Sequence, residues 1–222
     1  MKNKMIKAVL ALVAVFSVPY YGFAQSRLKS SVEIHYGLSG NFFVKSYDES
    51  QMGNSAVYLY KKRFLGTIGG IEYSLSVNDK SSFFAGYSRS INKGRKNYAG
   101  YINEVDVIVS DFSLRHINDF WVLGYDGRWS KSVSSMRYQV GMVYARMHQQ
   151  EIAIEEFLNQ VIVEERDFKN SALAEIGVLA GVHVDKAIDT HFKIGVKARI
   201  YYLVSSGNLE AFSVAPTLTY NF

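Results

Sequence analysis

Eight segments of this chain place an apolar residue at every second position. That two-residue period, repeated along most of its length, restricts the fold to one built from strands with one greasy and one polar face. The last segment, AFSVAPTLTYNF, shows the pattern most strictly: Phe212, Val214, Pro216, Leu218, Tyr220 and Phe222 share one parity, and Ser213, Ala215, Thr217, Thr219 and Asn221 the other. The other seven are VEIHYGLSGNFF, FLGTIGGIEYSLSV, SFFAGYSRS, DFWVLGYDGRWS, MRYQVGMVYA, LAEIGVLAGVHV and HFKIGVKARIYYL. No helical repeat, heptad or low-complexity linker interrupts them, so a single domain is expected. A soluble barrel with its apolar face inward has the same period, and periodicity alone does not say which face is inside.

The connections and the aromatic residues decide between the two. Short polar links follow the second, fourth and sixth segments (NDKSS, SKSVSS, DKAIDT), long ones follow the first, third and fifth (44–63, 91–118, 148–171), and VSSGNLE is intermediate. Strands of a membrane barrel alternate in this way between short periplasmic turns and longer outer loops. The chain has 16 Tyr and 14 Phe against 2 Pro, and its rings gather near segment ends, as at Trp121, Trp129, Tyr138, Tyr144, Phe192, Tyr202 and Tyr220. Girdles at two membrane boundaries produce that placement. In hydrocarbon every backbone polar group must pair, so such a sheet has to close. The expectation is all-β: a closed antiparallel transmembrane β-barrel of about eight strands in an up-and-down meander.

The opening MKNKMIKAVLALVAVFSVPYYGFAQ has a basic start, an apolar core and small residues before a plausible cut. It reads as a signal peptide over residues 1–24, with the barrel domain over 25–222. Removing Lys2, Lys4 and Lys7 takes 25 basic residues to 22 against 20 acidic, so the formal +5 falls to about +2 and nothing suggests nucleic acid. With no Cys there is no disulfide framework and no lipid-attachment cysteine.

Here the chain resembles the small OmpA- and OmpX-like outer-membrane barrels of Gram-negative bacteria, over roughly residues 30–222. The resemblance implies a final strand read by the barrel-assembly machinery, and TLTYNF, with Leu218, Tyr220 and Phe222, is similar to that signal. Pro216 departs from the pattern, because proline cannot donate to a ladder, and it predicts an irregularity at the seam between last and first strands.

On the polar parity lie four acids, Glu33, Glu72, Asp126 and Glu175, and five bases, Arg128, Arg137, Lys193, Lys197 and Arg199. An eight-stranded barrel is just wide enough for side chains to fill, so these groups are expected to pair into an ionic plug. Arg89 shares the outward parity and must either reach the rim or be turned inward by a bulge near Ser88. Of the long links, INEVDVIVSDFSL and EIAIEEFLNQVIVEERDF keep β-branched rows and predict hairpins beyond the bilayer, whereas VKSYDESQMGNSA reads as irregular.

No catalytic constellation is expected. Ser113, His116 and Asp119 share one stretch, but strand spacing separates Ser113 and His116 onto opposite faces. Metal-ligand spacing is absent too, and no cofactor is implied. Function is therefore expected at the loops. Lys61, Lys62 and Arg63 suit lipopolysaccharide phosphates. Ile152, Ile154, Phe157, Leu158, Val161 and Ile162 suit a hairpin that takes up an envelope protein partner or a surface ligand. A narrow porin-like channel and a lipid-A-modifying enzyme are the alternatives.

Overall fold

The eight alternating segments form eight strands that close on themselves. The computed structural model describes residues 29–42, 49–51, 56–59, 65–102, 105–129, 136–157, 160–167 and 173–222. The strands in chain order are β1 (Lys29–Asn41), β2 (Glu49–Gln51), β3 (Ala56–Leu59), β4 (Leu65–Asn78), β5 (Ser81–Ile102), β6 (Val105–Arg128), β7 (Met136–Phe157), β8 (Gln160–Asp167), β9 (Leu173–Ala187), β10 (Phe192–Leu203) and β11 (Asn208–Asn221). The ring runs β1-β4-β5-β6-β7-β9-β10-β11 and returns to β1, antiparallel throughout. Because β11 pairs with β1, the ring has no edge exposed to hydrocarbon. The expected signal over residues 1–24 lies outside the described residues.

Alternation turns into two chemically different surfaces. Ile34, Tyr36, Leu38, Ile71, Leu123, Met142, Ile176, Ile194, Val196 and Ile200 point outward and are exposed. Glu33, His35, Glu72, Gln139, Lys197 and Arg199, their neighbours by one or a few positions, are buried inside. A water-soluble barrel would reverse this, since exposing so many contiguous apolar side chains to water is unfavourable by about 25 cal/mol for each Å².

The seam carries the irregularity that Pro216 predicts. The β1–β11 ladder pairs Ser31↔Asn221 through His35↔Thr217, then resumes at Leu38↔Val214 in the same register. Only Tyr36 and Gly37, beside Pro216, fall out of it. At Gly37 a Cβ would lie 2.5 Å from the Ala215 Cα, so the two backbones approach too closely there for any side chain.

Strands β5, β6 and β7, at 22, 24 and 22 residues, overrun the ring and rise beyond it. The β4–β5 ladder ends at Thr67↔Ile91 and the β6–β7 ladder at His116↔Gln149, so the rest of β5 and β6 pair with each other as an arm. A second arm is built on the outer half of β7, flanked by β8 on one edge and β3 on the other. Part of VKSYDESQMGNSA, expected to be irregular, forms β2, which pairs with β3 (Gln51↔Val57) and so joins this arm.

Candidate functional site

Inside the barrel, charge is concentrated in a layer near its middle. Lys197 on β10 forms ion pairs with Glu33 on β1 and with Glu72 on β4, the latter at 2.8 Å. Arg199, two residues on, grips Glu72 with two guanidinium nitrogens, one at 2.8 Å, and its Nε donates to Gln139 Oε1 at 2.9 Å. Gln139 in turn donates to Asp126 (3.0 Å), which also receives Arg137 (3.3 Å). His35 lies 3.9 Å from both Glu33 and Glu72, and His183 lies 3.7 Å from Glu33. A two-pronged guanidinium–carboxylate contact of this kind has strong geometric specificity.

Six of the nine expected ionic residues therefore connect, and three do not. Lys193 pairs with Asp185 at 3.6 Å, and Glu175 accepts from the Ser205 hydroxyl at 3.1 Å. Among the described residues Arg128 forms no ion pair, and its Nε is buried without a hydrogen-bond partner. The plug is a compact layer, and the outlying charges sit apart from it.

Glu33, His35 and Glu72 bring three potential metal ligands within 4.8 Å of one another. The Lys197 ammonium already lies among them, bonded to both carboxylates and 3.4 Å from His35 Nδ1. It supplies the positive charge that a metal would bring.

Above this layer the interior turns apolar, which the sequence reading missed. Phe120 and Tyr201 stack with centroids 4.3 Å apart, while Phe84, on the short-turn side of Glu72, receives the Arg199 guanidinium over its ring at 5.1 Å. Ile68, Val122, Val143 and Leu179 complete the same buried cluster. Phe84 fits because its cross-strand partner is Gly124, where a Cβ would lie 2.6 Å from the Phe84 ring. The available signal was three large rings on a parity otherwise rich in charge and glycine.

A second polar layer lies beyond the rings, at the outer mouth. Between Tyr201↔Ala211 and Tyr202↔Leu209 the β10–β11 register shifts, leaving Glu210 as the extra residue of a bulge. Strict alternation from Phe212 would point Glu210 outward. The bulge turns it inside, 1% exposed, where Asn41 and Asn118 donate to its Oε1 at 2.9 and 2.7 Å and His116 Nε2 lies at 3.5 Å.

On the outer surface, Tyr87, Trp121 and Tyr144 form a row across β5, β6 and β7, with centroids 5.4 and 5.5 Å apart. Nearer the short turns a second set comprises Phe83, Tyr125, Tyr138 and Trp129, joined on the far side by Phe192, Tyr220 and Phe222. Two aromatic zones with aliphatic side chains between them match the two interfaces of a bilayer. The fold is that of a closed eight-stranded transmembrane β-barrel.

Arg89 fits this surface without a bulge. The register through Ser88 is unbroken, and Arg89 stays outward, one position above the Tyr87 row. Its Nε and Nη2 bind the Asp119 carboxylate at 2.7 and 3.1 Å, and the Tyr87 hydroxyl donates to the same group at 2.5 Å.

No family model matches the chain, and no curated protein matches it in sequence. Among solved structures it is similar to Ail, the attachment invasion locus protein of Yersinia pestis, at 11% identity over 89% of this chain and 100% of that one, TM-score 0.47. The N-terminal β-barrel domain of Pseudomonas aeruginosa OprF matches at 11% identity, 86% and 97% coverage and TM-score 0.39. Neisserial surface protein A matches at 12%, 89% and 98%, with TM-score 0.34.

The remaining sequence-derived residues are placed as follows. Leu218, Tyr220 and Phe222 lie outward on β11 at the short-turn end, where the Phe222 N–H donates to Ser30 O at 2.9 Å, so both ends of the barrel chain meet there. Ile154, expected to be open to a partner, is fully buried, because β3 and β8 flank β7 at that level. Ile162 is exposed. Ile152, Phe157 and Val161 are placed by backbone alone, and Leu158, Lys61, Lys62 and Arg63 lie outside the described residues. His116 faces inward to Glu210, whereas Asp119 is held outward by Arg89, so these two do not form part of one catalytic set.

Proposed function

We propose that this protein is a non-enzymatic barrel of the cell outer membrane, with both termini periplasmic, that works through the two arms above its outer rim. The supporting observation is how differently the chain treats its interior and its outer strands. The interior is filled by an ionic layer under stacked rings, which favours a structural or adhesive role over solute passage. The outer strands continue well past any length a bilayer needs, since about 9–11 residues span it. Beyond Asn92 and His116, no described strand pairs with the outer edges of the β5–β6 arm, and Tyr101 and Ile108 are each 73% exposed on it. Unpaired edges with apolar side chains suit strand addition by an envelope protein or a surface ligand. Lys61, Lys62 and Arg63 are assigned to lipopolysaccharide phosphates, and Leu218, Tyr220 and Phe222 to recognition by the barrel-assembly machinery.

The test is co-purification from detergent-solubilised outer membranes, comparing the full chain with variants lacking residues 98–109 or 152–163. Loss of a co-purifying partner with heat-modifiable mobility intact supports the reading. An unchanged partner set in both deletions rejects it. Planar-bilayer recordings bear on the channel alternative, where large stable steps would exclude a filled interior.

A further inference from the structure

The two polar layers inside the barrel neutralise charge differently. Around Glu33 and Glu72 the counter-charges are Lys197 and Arg199. Among the described residues no lysine or arginine contacts Glu210, whose partners there are two amides and an imidazole. An isolated carboxylate buried to this degree is costly unless something compensates it.

The surroundings indicate what that is. Asn118 is fully buried and gives its Nδ2–H to Glu210, but its Oδ1 has no hydrogen-bond partner among the described residues. Its cross-strand partner Ser90 and, two residues before Asn41, Ser39 are buried with hydroxyls in the same condition. A proton on His116 would answer the charge of Glu210 alone and leave these oxygens without a donor. One carboxylate with neutral amide and hydroxyl oxygens is the donor set of a small hard cation, which takes oxygen ligands. The bulge that brings Glu210 inside works against strict alternation, as bulges beside binding sites commonly do.

We propose that the outer mouth of the barrel is a binding site for a small hard cation, of the sodium or calcium kind, held by the Glu210 carboxylate with the Asn118 side-chain oxygen and the Ser90 hydroxyl. Ser39, on the neighbouring strand β1, contributes a further oxygen. The cation enters from the extracellular side, beneath the Val204–Gly207 turn.

The test uses the full mature chain folded in detergent, in choline chloride at fixed ionic strength and neutral pH, titrated calorimetrically with NaCl and separately with CaCl2. Saturable binding of one ion per barrel in either arm, with a matching rise in the temperature of barrel unfolding, is the expected result, and the responding arm identifies the ion. Glu210→Gln removes saturable binding and the salt-specific rise, and Asn118→Leu weakens binding about tenfold or more. Absence of saturable binding in both arms, meaning that the layer holds water only, overturns the proposal. So does a Glu210→Gln barrel that binds as the parent does. Should either variant not fold, the titrations of the parent chain decide alone.

Discussion

The inner and outer polar layers of this barrel are built from the same problem, a carboxylate inside a narrow cylinder, with opposite solutions. In the inner layer acids from β1 and β4 meet bases from β10, and every strong charge there finds a fixed opposite within the chain. In the outer layer Glu210 arrives through a bulge and meets side-chain amides. Between them Phe120 and Tyr201 stack in an apolar girdle that keeps the layers apart. The lesson is that a near balance of acids and bases does not by itself describe a barrel interior. Position along the axis decides which charges can meet.

Breaking the inner layer has the largest expected effect. Lys197→Met leaves Glu33 and Glu72 short of their shared cation and destabilises the barrel by about 3–5 kcal/mol, read from the shift in its urea unfolding midpoint in lipid vesicles. Phe120→Ala removes half of the stack and costs up to about 3–5 kcal/mol by the same measurement. It also joins the two layers, so ion leakage through the variant exceeds that of the parent. Glu210→Leu is milder. It strands the buried Asn118 N–H donor at about 1–3 kcal/mol, and the ratio of this loss to that of Lys197→Met measures how far the layers differ.

The smallest effect lies outside the membrane. In the β9–β10 turn the backbone N–H groups of Phe192 and then His191 donate to Asp189 at 2.7 Å each, holding its carboxyl below the ordinary carboxylate range. A folded value below the unfolded one means that this contribution is complete above the ordinary range and is lost as pH falls through the lowered value. Carbon-detected NMR titration should find Asp189 still ionised at a pH where an ordinary exposed aspartate is already partly protonated.

The sequence exposed the strands and their facing directions well, because each parity meets a different medium along its whole length. Alternation placed Glu33, Glu72, Lys197 and Arg199 inside and Ile34, Val196 and Leu218 outside without any knowledge of neighbours. It failed where pairing geometry overrides parity. The bulge beside Tyr202 reverses Glu210, and only the offset between β10 and β11 reveals it. It failed as well where contacts are distant in sequence: nothing in AVYL announces that β3 will lie along Ile152–Glu155 and cover Ile154. Arg89 was ambiguous for the same reason, since its Asp119 partner is 30 residues away on the next strand.

The arrangement as a whole rests on β11, where Ser213 is buried, Val214 exposed, and no native cysteine interferes with labelling. Single cysteines at Ser213, Val214, Thr217 and Leu218 can carry spin labels in the vesicle-bound protein, with accessibility read by collision with oxygen dissolved in lipid and with a water-soluble nickel chelate. Labels at Val214 and Leu218 should collide readily with oxygen, and those at Ser213 and Thr217 with neither reagent. Strong nickel collision at Val214 and Leu218, with oxygen excluded, would show the apolar face turned to water and contradict the inside-out barrel.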